Sequence, residues 1–113
     1  MLGGLLKLFL GDRQKRLVRS LMPVVEEINL HFERLSGLTD DELAGMTAVF
    51  RRRLASGETL DDIMTEAFAV VKEACRRLCG RSWEVTGREI RWQMVPFDVQ
   101  LMGAVVLHRG MIA

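Results

Sequence analysis

The sequence predicts a mainly α-helical chain in which several amphipathic helices pack together and one β-hairpin, at about residues 82–93, follows them. Apolar residues recur at intervals of three and four along most of the chain, which is the period of a helix buried on one side. Hydrophobic residues make up 49% of the sequence, yet only 6% are aromatic and tyrosine is absent. At 113 residues, the chain is one small domain at most.

The first ten residues are an apolar segment with cations directly after it. The apolar residues Leu2, Leu5, Leu6, Phe9 and Leu10 precede the basic residues Arg13, Lys15, Arg16 and Arg19. This pattern is typical of a helix that lies in a lipid interface, and it equally suits a docking helix that packs on a partner. The segment is shorter than the ~20 apolar residues of a membrane span, and it lacks the basic start of a signal peptide.

A second helix is expected from about Asp12 to Leu35. Its apolar stripe comprises Leu17, Leu21, Val24, Val25, Ile28, Phe32 and Leu35. Pro23 lies inside this run and cannot donate a hydrogen bond to the carbonyl of Arg19. We therefore expect a kink or a break at Pro23.

Two further helices have clear start and stop signals. Thr39 and Glu42 have the spacing of a capping box, and the helix that they begin is expected to end at Gly57. Thr59 caps the next helix, which Gly80 ends. Its predicted buried face comprises Leu60, Ile63, Met64, Ala67, Phe68, Val71, Ala74, Cys75 and Leu78.

Apolar and polar residues alternate in the segment 82–93, which indicates two strands joined by a turn. A two-residue turn places Glu84 opposite Glu89, and like charges in that position are unfavourable. A four-residue loop instead places Trp83 opposite Trp92. We prefer the four-residue loop, which predicts a direct cross-strand pair of tryptophans.

The last helix is expected from about Asp98 to Arg109, with Gly110 ending it. It is apolar nearly all round: Val99, Leu101, Met102, Ala104, Val105, Val106 and Leu107. Such a helix is normally buried on every side. If part of it stays open, the exposed area exceeds what soluble monomers usually tolerate, so we expect a homodimer that buries these helices or exchanges the first one.

Charge and cysteine content exclude several classes of function. The formal net charge is +1, which gives no indication of a nucleic-acid partner. Cys75 and Cys79 lie four residues apart on one helix face, enough for half of a metal site at most, and buried thiols are the preferred interpretation. Two free cysteines suit a reducing compartment.

Four blocks in this order resemble SecA, the ATP-driven motor of bacterial preprotein export. They are Leu38–Leu43, Gly57–Asp62, Glu66–Ala74 and Phe97–Leu101, and together they extend over nearly the whole chain. Thr65 stands where a helix-starting proline is common, and Gly103-Ala104 where two glycines are common. The hairpin resembles an insert found in a subset of bacterial phyla.

The resemblance implies that Gln100 recognises adenine, with Met94 and Phe97 shaping the pocket. A glutamine carboxamide has one acceptor and two donors in one plane, so it can pair with N6 and N7 of adenine together. The sequence contains no G-x-x-x-x-G-K-[ST] loop for the phosphates. We therefore expect ATP, with Mg²⁺, to bind in the full-length relative, and weakly or not at all to this chain, which alone is not an ATPase.

The resemblance also implies a place of action. For the first segment it favours binding to lipid over docking on a partner protein. The residues expected to contact the membrane are Leu5, Leu6, Phe9, Arg13, Lys15 and Arg16. The expected partners are acidic phospholipids, the Sec translocation channel and, for the full-length relative, preprotein substrates. The expected location is cytoplasmic, peripheral at the inner face of the bacterial cell membrane.

The sequence is interpreted as a single partial domain, 1–113, cut before the phosphate loop. Residues 1–11 form the amphipathic tail, 12–80 the helical region, 81–94 the hairpin insert, and 95–113 the adenine-recognition helix (the Q motif) and the start of a strand. The alternative is a stand-alone helical interaction or oligomerisation module without ATPase activity. A thiol or metal enzyme built on Cys75 and Cys79 has no supporting ligand set.

Overall fold

A computed structural model of the chain describes the backbone of residues 2–111 and the side chains of residues 11–111. In this part the elements are α1 (Leu2–Leu35), α2 (Asp40–Ala44), α3 (Met46–Ala55), α4 (Leu60–Leu78), β1 (Ser82–Val85), β2 (Arg88–Arg91) and α5 (Asp98–His108). The prediction of a mainly α-helical fold with one hairpin is confirmed. Of the expected strand start at Met111-Ile112, Met111 is described and is not in a strand, and residue 112 lies outside the described residues.

Helix α1 is one continuous helix of 34 residues. A break at Pro23, one of the two expected outcomes, is wrong, because no boundary divides the helix there or separates residues 2–11 from the rest. The other expected outcome, a kink at Pro23, stays a prediction. Proline removes a single backbone hydrogen bond. Leu21 and Val25 flank it and are almost fully buried, so packing holds the helix together across the missing bond.

The next two helices were expected as one. Gly45 separates α2 from α3 and keeps a right-handed backbone, with φ −68° and ψ −13°. Thr39 caps α2 by accepting a hydrogen bond from the N–H of Glu42 at 3.1 Å, as expected. Gly57, with φ 109°, adopts a conformation that other residues rarely take, and it follows the end of α3.

Helix α4 begins with the expected cap, in which Thr59 accepts from the N–H of Asp62 and the Asp62 carboxylate accepts from the N–H of Thr59. Its buried face differs from the predicted one. Leu60 and Val71 are 61% and 56% exposed, whereas Thr65 and Glu73 are buried. The helix therefore packs on a rotated face, on which Glu73 points inward and is paired with Arg76 and Arg77.

The hairpin has a two-residue turn, Thr86-Gly87, so the predicted four-residue loop is wrong. Both turn residues have positive φ, 49° and 76°. Positive φ at both positions is typical of a type I′ turn, whose backbone twist matches the twist of paired strands. This favourable turn geometry outweighs the unfavourable pairing of Glu84 with Glu89. Trp83 pairs with Ile90. It contacts Trp92 only diagonally, edge to face, with ring centroids 6.3 Å apart.

The core lies where three helices meet. Its buried members are Leu21, Val25 and Ile28 from α1, Met64 and Ala69 from α4, and Leu101, Val105 and Val106 from α5. Val99 and Leu107 of α5 are 76% and 62% exposed, so the expectation that α5 is buried on every side is wrong. One face of α5 packs on α1 and α4, and the other is open.

Candidate functional site

The predicted adenine-recognition residues lie in and just before the first turn of α5. Phe97 is the residue before the helix and has extended backbone angles, φ −77° and ψ 162°. The Oε1 atom of Gln100 accepts a hydrogen bond from the N–H of Phe97 at 2.9 Å. This bond satisfies one of the free N–H groups at the start of a helix. It also fixes which end of the carboxamide faces the backbone, so the NH₂ group points away from it.

A cavity of about 380 Å³ lies beside this turn, between α4 and α5. It is lined by Phe68, Val71, Cys75, Trp92, Met94, Pro96, Gln100, Leu101 and Ala104. The lining is apolar apart from the Gln100 carboxamide and the Cys75 thiol. The indole N–H of Trp92 donates to the Met94 carbonyl at 2.8 Å, which holds the segment after β2 against the cavity. A flat apolar ring with polar edges suits such a cavity.

The three predicted nucleotide-binding residues do not line one surface. Met94 and Gln100 lie together at the cavity between α4 and α5. Phe97 is 76% exposed and lines a neighbouring depression with Lys72, Val95, Pro96, Asp98 and Val99. Phe97 therefore lies in a depression next to the cavity, and Pro96 lines both.

Two polar residues from other helices approach the same turn, and the sequence analysis did not single them out. Lys72 of α4 donates from Nζ to Oδ1 of Asn29 at 2.7 Å. Asn29 of α1 donates from Nδ2 to Oδ1 of Asp98 at 3.1 Å. Asn29 and Asp98 lie 69 positions apart along the chain, so no local spacing in the sequence indicates that they are hydrogen-bonded.

The basic residues predicted to contact lipid lie on α1. Arg13, Lys15 and Arg16 are exposed. Leu5, Leu6 and Phe9 belong to the same helix, but their side chains lie outside the described residues. Within residues 2–111, no helix combines the length and the apolar character needed to cross a membrane.

Comparison with known proteins identifies the family. The family model described as the SecA DEAD-like domain matches residues 6–113. The chain belongs to the SecA DEAD-like family. Its relatives include the protein translocase subunit SecA of Chlamydia pneumoniae, 45% identical over 109 residues. They also include those of Chlamydia abortus, 46% identical over 107 residues, and Chlamydia caviae, 45% identical over 107 residues.

These alignments cover 95–96% of the chain and about 11% of each SecA relative. The predicted resemblance to SecA is therefore confirmed over nearly the whole chain. The matched region includes Met94, Phe97 and Gln100, together with the hairpin.

The two cysteines of this SecA-like chain lie at the end of α4. Cys75 is half-buried, and burial followed by the proximity of Cys79 raises the pKa of its thiol. Cys79 is exposed, and its Sγ lies 3.5 Å from the Cys75 carbonyl oxygen. A raised pKa lowers the thiolate fraction and with it the reactivity. Among the side chains that the structure describes, no group of three or more His, Cys, Asp or Glu residues could hold a metal ion.

Proposed function

We propose that this chain forms the adenine-recognising end of an ATP site in a protein-translocating motor similar to SecA. The observation that carries the proposal is the family match over residues 6–113, combined with an exposed Gln100 at the edge of an apolar cavity. The chain spans about 11% of the relatives' length and contains no phosphate loop. The proposal therefore concerns recognition of the base, and we expect no ATP hydrolysis by this chain alone.

The carboxamide of Gln100 is already oriented for such a role. Its Oε1 accepts from the Phe97 N–H, which directs the NH₂ group outward. An outward NH₂ group can donate to N7 of adenine, and the second lone pair of Oε1 can accept from N6. Met94, Pro96 and Trp92 supply the apolar contact for the flat face of the base. Phe97 lines a neighbouring depression that shares Pro96 with this cavity, so a nucleotide extending past Pro96 would contact it.

A titration with adenosine and with ATP, followed by NMR, tests the proposal. One bidentate amide contact is worth about 1–3 kcal/mol, so we expect dissociation constants weaker than millimolar, with shifts at Gln100 and Met94. Gln100→Glu keeps the acceptor for the Phe97 N–H and removes the donor to N7, so it should abolish the shifts. Adenosine is the decisive ligand here because it has no phosphate charge for the new carboxylate to repel.

Gln93→Glu is the matched control, because Gln93 is exposed and does not line the cavity. It should bind adenosine as the parent chain does. Equal binding by Gln100→Glu and the parent would contradict the role of Gln100. Micromolar ATP binding with hydrolysis would contradict the limit to base recognition.

We also propose that α1 contacts acidic phospholipids and the Sec translocation channel, which would place the protein on the cytoplasmic face of the bacterial cell membrane. Exposed Arg13, Lys15 and Arg16 on a 34-residue helix support this part of the proposal. In a motor of this kind, ATP and Mg²⁺ would act together with residues beyond the present region. Preproteins would be the substrates.

A second candidate function is that of a helical interaction module that works by self-association. The open face of α5 favours it, since Val99 and Leu107 are 76% and 62% exposed. Exposed apolar residues on one helix face are typical of a protein interface. This candidate needs no nucleotide, so adenosine titration and oligomeric state distinguish it from the first.

A further inference from the structure

Asn29, Lys72 and Asp98 form a chain of hydrogen bonds across three helices. The Lys72 ammonium group donates to Oδ1 of Asn29 at 2.7 Å, and Nδ2 of Asn29 donates to Oδ1 of Asp98 at 3.1 Å. Asn29 lies on α1, Lys72 on α4, and Asp98 in the first turn of α5. The chain of bonds therefore ends between Phe97 and Gln100, on the turn that presents the Gln100 carboxamide.

A carboxamide suits this position because it can both donate and accept. An ammonium group only donates hydrogen bonds, and an ionised carboxylate only accepts them. A neutral amide has one acceptor and one donor side, so Asn29 can satisfy Lys72 and Asp98 together. A carboxylate at position 29 would satisfy Lys72 but repel Asp98, and an aliphatic residue would satisfy neither.

Lys72 is itself held in place. Its Nζ lies 4.5 Å from the centre of the Phe32 ring, a favourable position for a cation over an aromatic face. Phe32 and Asn29 both lie on α1, three residues apart, and face the same side of that helix. The ammonium group thus contacts α1 twice, which fixes the orientation of the Asn29 amide.

We infer that Asn29 is a positioning residue for adenine recognition, acting through Asp98 on the turn Phe97–Gln100. Lys72 orients the Asn29 amide, and Asn29 then restrains the start of α5, so the Phe97 N–H stays bonded to Oε1 of Gln100. This inference rests on the proposed role of Gln100. None of the three residues in the chain of bonds needs to touch the nucleotide.

A pair of substitutions in the full chain tests the inference. Asn29→Asp has the same shape and still accepts from Lys72, but it faces Asp98 with a like charge. In the double variant N29D/D98N the hydrogen bond between the two positions is restored in the opposite direction, because the amide at position 98 can donate to the carboxylate at position 29. Gln14→Glu adds a carboxylate to an exposed site on the same helix and controls for charge alone.

The first measurement is hydrogen exchange of the Phe97 N–H without nucleotide. Loss of one hydrogen bond predicts exchange about threefold to tenfold faster in Asn29→Asp, with recovery in N29D/D98N. Unchanged exchange in Asn29→Asp overturns the inference. If Asn29→Asp only destabilised the whole fold, exchange would also become faster at the Leu43 N–H in distant α2. The double variant would then not restore slow exchange.

The second measurement is the adenosine dissociation constant, which should weaken by a similar factor in Asn29→Asp and recover in the double variant. Normal adenosine binding alongside fast Phe97 exchange would also overturn the positioning role. If the parent chain shows no adenosine effect at Gln100, the proposed function fails. The exchange result still decides whether Asn29 restrains the turn.

Discussion

The Glu73 carboxylate in the middle of α4 is fully buried and fully paired. The Nε atoms of Arg76 and Arg77 each donate to it at 2.8 Å. Nη2 of Arg77 also donates to the carbonyl of Leu35, the last residue of α1, and to that of Leu38 in the connection to α2. A buried charge is stable only with partners of this kind. Glu73 therefore connects α4 to the end of α1 through one guanidinium group.

Replacing Glu73 with Gln should destabilise the fold. The substitution keeps the shape but removes the charge that both arginines neutralise, so we expect a loss of about 2 kcal/mol in the free energy of unfolding. Urea unfolding followed by circular dichroism measures it. Glu33→Gln, at an exposed site on α1, should change stability little. Equal midpoints for Glu73→Gln and the parent chain would show that the pairing contributes no net stability.

The same residue predicts a pH dependence. The hydrogen bond from Arg76, followed by that from Arg77, lowers the pKa of Glu73 below its ordinary 4.5, although burial opposes the shift. A lowered folded-state pKa means that the carboxylate stabilises the fold at pH values above 4.5 and ceases to do so as the pH falls through the folded-state pKa. The difference in stability between the parent and Glu73→Gln should therefore shrink on acidification.

At the scale of single elements, the hairpin turn offers a sharp test. Thr86 has a φ of 49°, which asparagine adopts more readily than a β-branched residue. Thr86→Asn should therefore stabilise the hairpin, whereas Gly87→Ala should destabilise it. A Cβ on Gly87 would meet no atom within 4 Å, so its effect would come from the backbone conformation alone. NMR cross-strand contacts between residues 84 and 89 report the hairpin population, and an increase in Gly87→Ala would contradict the turn geometry.

The starts of α2 and α4 and the end of α3 could be predicted from local signals, because caps at Thr39 and Thr59 and a glycine at Gly57 act within a few residues. The continuity of α1 through Pro23 and the division at Gly45 were not predicted. The hairpin register could not be predicted from side-chain pairs, because backbone twist at Thr86-Gly87 decided it. The face that α4 buries was mispredicted for another reason. Glu73 is buried because arginines pair with it, and apolar periodicity contains no information about such pairing.

The candidate site also contains residues that the sequence could predict and residues that it could not. Met94, Phe97 and Gln100 form a local motif that the sequence displays directly. Asn29 and Lys72 reach this motif only after three helices pack together, so their contribution required the tertiary structure. That Gln100 recognises adenine, with Met94 and Phe97 shaping the pocket, stays a prediction.

At the scale of the whole molecule, α1 predicts binding to anionic vesicles. Arg13 and Arg16 should attract acidic headgroups, with binding that weakens as salt increases. The variant R13Q/R16Q should bind vesicles of phosphatidylglycerol and phosphatidylcholine more weakly in a flotation assay. The variant R51Q/R52Q removes two exposed cations from α3 and should bind normally. Equal loss in both variants would indicate nonspecific charge attraction.

The open face of α5 predicts self-association. Val99 and Leu107 leave apolar area in water, and a two-fold dimer would cover it. Light scattering at micromolar concentration should give about twice the 12.8 kDa of the single chain. The variant V99E/L107E should return the mass to that of one chain. A parent chain that scatters as a single copy at these concentrations would exclude the dimer.

The length of α1 has a mechanical consequence. At 1.5 Å per residue, its 34 residues extend about 50 Å, and nearly 30 Å of this lies on the N-terminal side of Leu21. A tilt of about 10° about the buried Leu21–Ile28 segment would displace the far end by about 5 Å, by the geometry of a rigid rod of that rise. Pro23 lies inside this pivot, where the burial of Leu21 and Val25 keeps the helix continuous across the missing backbone bond. Because Asn29 lies on the short arm, a pull at the distant end would be converted into a small, stiff displacement at the start of α5.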